Sequence, residues 1–141
     1  MTGRFKYEIL VKYPHMRPRD VEIWERFVTK NPDFFTSVDY DVLVGDGAPF
    51  PTTLNNLDGQ DVGAIYKLKI DVVGYKNGET WVIEVGPNKE VGGVAKVAAY
   101  DEFYREKYKT TDKVIAALLT DRVTPDMQAL ADKWELRILT A

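Results

Sequence analysis

The sequence contains no cysteine and a single histidine, His15. Without cysteine there is neither a disulfide framework nor a thiolate metal site, so the fold must rest on its apolar core, and a reducing compartment suits it. The lone histidine, flanked by Pro14 and Met16 in an expected loop, leaves Ser-His-Asp catalysis without its oriented partners. Long apolar runs are also lacking: none approaches the ~20 residues of a membrane-spanning helix, and the opening MTGRFKYEIL has no signal-peptide core. A soluble intracellular protein with no membrane partner is therefore expected. Positive charge is not in excess either. At a formal net charge of −3, any contact with nucleic acid has to be local. Gly92-Gly93 has neither the Walker spacing nor the dinucleotide fingerprint around it, so it is no phosphate loop.

What is present begins with enough apolar residues, 45% of 141, for one folded domain spanning 1–141. Its N-terminal arm, about residues 1–17, is expected to pack against the rest of the domain or a partner. The stretch Tyr66 to Pro87 carries the most information. Two runs of alternating β-branched and aromatic residues flank Asn77-Gly78, a dipeptide suited to a two-residue type I′ turn because both central positions need φ > 0. If Lys76 and Glu79 close the turn, Val73 faces Val82, Asp71 faces Glu84 and Lys69 faces Gly86. Alternation then places Lys69, Asp71, Val82 and Glu84 on one face, with Leu68, Ile70, Val72, Trp81, Ile83 and Val85 on a core face. Two carboxylates at the ~4.5–5.5 Å Cβ spacing of opposed residues repel. A divalent metal, a lysine or a shared proton would relieve this, and the plain alternative is a polar sheet face neutralised by Lys67 and Lys69.

Elsewhere, Pro18 or Asp20 opens a helix with an apolar stripe of Val21, Trp24, Phe27 and Val28, ending before Asn31-Pro32. Glu25 lies at the rim of that stripe and Glu22 further into solvent. Val38 to Val44 alternates as a strand, followed by a long loop of about residues 45–66, rich in Gly, Pro, Asn and Asp. A helix over about 91–108 puts Lys96, Ala99, Tyr100, Phe103 and Lys107 on one stripe. KVIAALLT, 113–120, reads as a strand buried on both faces. A short helix from Thr124-Pro125 to Lys133 and a strand over 136–139 finish the chain. Trp24, Trp81 and Trp134 fall at core positions. Lys12, His15, Arg17 and Arg19 form the obvious basic cluster, either a solvated loop or a nucleic-acid contact through Lys12, Arg17 and Arg19. The order α-β-β-β-α-β-α-β implies an α/β fold with a mixed central sheet flanked by helices.

On these residues the chain resembles the PD-(D/E)xK nuclease-like superfamily, whose core is that of the restriction endonucleases. The resemblance covers most of the chain: Asp71 in KIDVVGY stands where the family has its aspartate, and Glu84 in VIEVGP where it has the acid of its acid-x-lysine triplet. Glu25 in IWERF stands for the family's helical glutamate. It implies Mg²⁺ or Mn²⁺ held by Asp71, Glu84 and Glu25. The departure is Gly86, which occupies the place of the triplet lysine. Lys69, across the hairpin, and Lys96, on the following helix, are the candidate replacements, while Lys89, beyond Pro87, is expected to have left the strand.

Three functional readings compete. The favoured one is a nuclease-like protein with an eroded site, a binding or assembly subunit whose partners are other protein subunits, as in a homo-oligomer or a connector of a tailed-phage particle. The second is an active metal-dependent nuclease with a relocated lysine, in which Asp71, Glu84 and Lys69 or Lys96 are catalytic and nucleic acid is the partner. The third is an unrelated α/β domain with a surface charge cluster.

Overall fold

The computed structural model describes residues 2–45 and 68–141. From residue 46 on, the long loop expected over 45–66, together with Lys67, lies outside the described residues. The elements are β1 (Phe5–Lys6), α1 (Pro18–Lys30), β2 (Ser37–Leu43), β3 (Lys69–Lys76), β4 (Glu79–Val85), α2 (Val91–Tyr108), β5 (Lys113–Thr120), α3 (Pro125–Lys133) and β6 (Arg137–Thr140). They build one six-stranded sheet in the order β1-β2-β3-β4-β5-β6. The pairings from β1 to β4 are antiparallel, and β4, β5 and β6 run parallel. Two antiparallel hairpin-type steps followed by two helical crossovers are what the order of elements requires.

The hairpin has the register expected of its turn. Lys76 pairs with Glu79 and Val73 with Val82, and Asn77 and Gly78 both have positive φ, 38° and 79°. Pro18 supplies the first residue of α1, where its missing N–H costs nothing. The Thr124 hydroxyl accepts the Met127 N–H at 3.3 Å and starts α3.

Each face of the sheet has its own core. Ile23, Trp24, Phe27 and Val28 of α1 pack on Val72, Trp81, Ile83, Val85, Ile115, Ala117 and Leu119. On the other face Val94, Val97, Tyr100 and Tyr104 of α2, with Met127 and Ala131 of α3, pack on Val73, Val82, Val114, Ala116 and Leu118. β5 divides its residues alternately between the two cores, which is why its sequence is continuously apolar. The N-terminal arm lies on the first core: Phe5, Tyr7, Leu10 and Met16 pack against it, and the Tyr7 hydroxyl donates to the Asn31 carbonyl at 2.6 Å.

Two expectations are corrected. Ile70 packs with Val73 and Val82, and Leu68 joins the same core, not the one containing Val72. On β2, likewise, Tyr40 packs in the first core but Val42 against the second. Between the pairs Tyr40–Val72 and Val42–Ile70 lies Asp41, opposite Asp71, with φ 55°. A left-handed residue inside a strand rotates the residues after it about the strand axis, so the alternation changes face at this level. Trp134 is 46% exposed, because it caps the C-terminus of α3 instead of lying on its buried face.

Candidate active site

The face change falls beside the acidic pair. The β3–β4 ladder ends at Val72–Ile83, and one step further its register sets Asp71 against Glu84. There the Val85 N–H donates to Asp71 Oδ2 at 2.8 Å, while the next amide, Gly86 N–H, donates to Leu119 O of β5. The Asp71 carboxylate thus satisfies an amide on the side of β4 that faces β3, as a strand carbonyl would, and both its position and its orientation are fixed.

Glu84 is only 3% exposed. Burial pushes the Asp71 carboxyl up to about 9, reinforced by the hydrogen bond to Glu84 and by its negative charge. Burial works against ionising Glu84 too, but the hydrogen bond from Asp71 and the Lys96 ammonium outweigh it and hold this carboxyl below its ordinary value. One proton is shared between two carboxyls, with the negative charge on Glu84. Lys96 Nζ of α2 lies 3.0 Å from Glu84 Oε2, and the Tyr100 hydroxyl lies 3.2 Å from Oε1 and 2.9 Å from the Lys69 carbonyl.

A second ammonium completes the cluster. Lys89 Nζ is 3.9 Å from Glu84 Oε2. The chain does leave β4 at Pro87, but Asn88, with φ 52°, turns it back. The end of β5 pins that turn: Asn88 N–H donates to Asp121 Oδ1 at 2.8 Å and Lys89 N–H to Thr120 Oγ1 at 3.4 Å. The Lys89 side chain then runs over Gly86, where a Cβ would stand 2.5 Å from Lys89 Cε and 3.1 Å from Nζ. Asp20 of α1 is beside it, its Oδ1 3.0 Å from the same point. Burial raises the Asp20 carboxyl, against the attraction of Lys89. Lys89 and Lys96 thus stand against Glu84, with Asp20 beside Lys89.

Of the remaining sequence candidates, Lys69, Glu25 and Lys12 lie elsewhere. Lys69 does not face Gly86: β3 pairs there with Leu43 of β2, and Lys69 Nζ lies 3.3 Å from Asp41 Oδ2, with His15 Nε2 3.7 Å from the same oxygen. The departure of β3 from β4 beyond Val72 is the reason. Glu25 accepts the Tyr13 hydroxyl at 2.9 Å and lines a different cavity, with Ile9 and Arg26. The first turn of α1, not its middle, reaches the acidic pair, so Asp20 is the α1 carboxylate that does. Arg17 and Arg19, with Pro18, Asp20, Pro87 and Lys89, line a cavity of about 530 Å³ that adjoins the cluster, whereas Lys12 is exposed and lies outside it. Among the described residues no group of three or more His, Cys, Asp or Glu side chains is gathered closely enough to hold a metal ion. None of the described helices is long and apolar enough to cross a membrane.

No protein-family model and no curated protein matches the chain. Among solved structures, a complex of EndoMS with double-stranded DNA aligns over 94% of this chain with a TM-score of 0.51 and 15% identity. The fold is restriction-endonuclease-like. The mixed sheet, with α1 on one face and α2 and α3 on the other, is the core expected from the sequence. The chain spans about half the length of that structure, 48%.

Sequence reasoning passed over Lys89 and Asp20. A signal for Lys89 was present in Pro87-Asn88, since Asn tolerates the left-handed conformation that reverses a chain.

Proposed function

We propose that the chain is a metal-dependent nuclease whose lysine has moved out of the triplet. The observation that carries this reading is the convergence of Asp71, Glu84 and two lysine ammonium groups at the mouth of an Arg17- and Arg19-lined cavity. The carboxyl pair fits a hard divalent ion such as Mg²⁺ or Mn²⁺ in its donor chemistry: two oxygen ligands whose repulsion is relieved by a proton that a cation can replace. Asp71 and Glu84 would hold the ion, which when bound would polarise a phosphoryl oxygen and make a bound water acidic. Lys96 keeps Glu84 ionised, and Val85 N–H fixes the Asp71 carboxylate. Arg17 and Arg19 draw the phosphate backbone toward the cluster. Hydrolysis joins the oxygen of water to phosphorus and breaks the bond to the leaving alkoxide, which takes up a proton and departs as an alcohol. Duplex DNA is the substrate to try first, because the solved structure similar in fold contains it.

The experiment is calorimetric titration with Mn²⁺, followed by incubation of DNA with Mg²⁺. Saturable binding is expected, lost in Glu84→Gln together with cleavage. Because Asp71 is held protonated, binding should expel a proton. Apparent affinity should rise with pH, by up to about tenfold per unit, until Asp71 ionises on its own. The second reading, an eroded site in an assembly subunit, is favoured by Gly86 and by the lack of a third clustered ligand among the described residues. Absence of Mn²⁺ binding up to millimolar concentration would select it and discard the first.

A further inference from the structure

We infer that Lys89 is the ammonium that meets the scissile phosphate, reaching the reaction centre through the space that the missing side chain of Gly86 leaves open. This inference rests on the nuclease reading and deepens it.

Two lysines approach Glu84, and their surroundings separate them. Lys96 is in direct contact with the carboxylate at 3.0 Å and lies 5.7 Å from the centre of the Tyr100 ring. Its charge is spent on Glu84. Lys89 stands off at 3.9 Å and, although less exposed than Lys96 (30% against 46%), forms part of the wall of the cavity that also contains Arg17 and Arg19. It is therefore the ammonium turned toward where a phosphodiester would enter. Its support is rigid, because the turn carrying it is tied to Thr120 and Asp121 at the end of β5. Its path crosses Gly86 so closely that any Cβ there would overlap Cε at 2.5 Å. Glycine at 86 and lysine at 89 thus form one device: the first is small so that the second can occupy its place.

The two halves of this device give linked tests. DNA binding is measured in Ca²⁺ over a series of salt concentrations, and cleavage in Mg²⁺. Each phosphate contact contributes about 0.9 to the slope of log affinity against log salt. Lys89→Ala is expected to lower that slope by about one contact and to slow cleavage by about 100-fold, the usual cost of removing one donor to a developing charge. Lys133→Ala, on the distant surface of α3, should leave the slope unchanged. Gly86→Ala adds no charge and removes none, yet should reproduce the cleavage defect by displacing Lys89. The thermal stability of Gly86→Ala should stay close to that of the unsubstituted protein, since the overlapping atom ends a flexible side chain. Restoring a lysine in the triplet, Gly86→Lys combined with Lys89→Ala, should recover both slope and rate.

An unchanged slope and rate in Lys89→Ala would overturn the inference, as would failure of the double variant to recover either. If the unsubstituted protein binds DNA without cutting it, the nuclease reading falls while the slope still decides whether Lys89 meets a phosphate. No binding of DNA at all would overturn both.

Discussion

Asp71→Asn is expected to raise the melting temperature of the metal-free protein and to abolish its Mn²⁺ binding. The two effects have one cause. In the folded state Asp71 keeps its proton to about pH 9, whereas in the unfolded chain it ionises near the ordinary carboxyl value. A group whose pKa is raised on folding contributes stability that is complete below the unfolded value and is lost as pH rises toward the folded one. At pH 7 the wild-type protein has therefore lost much of that contribution. An asparagine does not titrate, can accept the Val85 N–H through its carbonyl oxygen, and can donate an N–H to Glu84. Each pKa unit is worth about 1.36 kcal/mol, and because Glu84 shares the same proton only part of the shift is recovered. A gain of roughly 2 kcal/mol at pH 7, or about 5 °C or more in Tm for a chain of this size, is expected. Scanning calorimetry between pH 5 and about 9 tests the sign: the wild-type Tm should fall across the range, and the gap to Asp71→Asn should widen. A variant less stable than wild type at every pH would show that Asp71 is not held protonated.

Trp24→Ala should have the largest effect on the fold. Trp24 is completely buried, its indole N–H donates to the Tyr40 hydroxyl at 3.1 Å, and its ring meets Tyr7, Phe27 and Tyr40. Removing a buried indole costs about 3–5 kcal/mol in transfer and cavity terms. Tyr40 would also lose its donor in a buried site, against a total stability of about 5–15 kcal/mol. Urea denaturation should show a midpoint lower by about a quarter or more, with little change in slope. The loss should reach the candidate site as well, because Trp24 anchors α1, and the first turn of α1 carries Asp20 and Arg19. Trp134→Ala, at an exposed position, should change the midpoint hardly at all.

How far these features were legible in the sequence depended on the range of the forces that fix them. The hairpin register was legible because Asn77-Gly78 admits one kind of turn, and a turn sets every pair behind it. The same local logic gave α2 and the continuously apolar β5. The change of face at Asp71 was not legible, since it depends on a left-handed backbone at Asp41, thirty positions earlier in the chain and inside a stretch whose alternation reads as regular strand. A helical wheel separates Glu25 from Glu22 but leaves Asp20 as no more than a helix opener, because it gives the angle of a side chain about its axis and not which end of the helix approaches the sheet. Lys89 was set aside by counting residues past the strand. What returns it to Gly86 is a hydrogen bond between Asn88 and Asp121, groups whose proximity only the parallel pairing of β4 with β5 creates.

The identity of strand order with chain order bears on how the molecule is made. No strand of the described sheet has to be inserted between two that are already paired. A chain emerging from the ribosome can lay each strand against its predecessor, and no strand pairing has to wait for a partner from the far end of the sequence. The acidic pair is brought together by the β3–β4 hairpin, whereas its two lysines reach it only when the turn after β4 docks on β5 and α2 packs on the sheet, so in a hairpin formed before that docking a proton alone relieves the repulsion between the carboxyls.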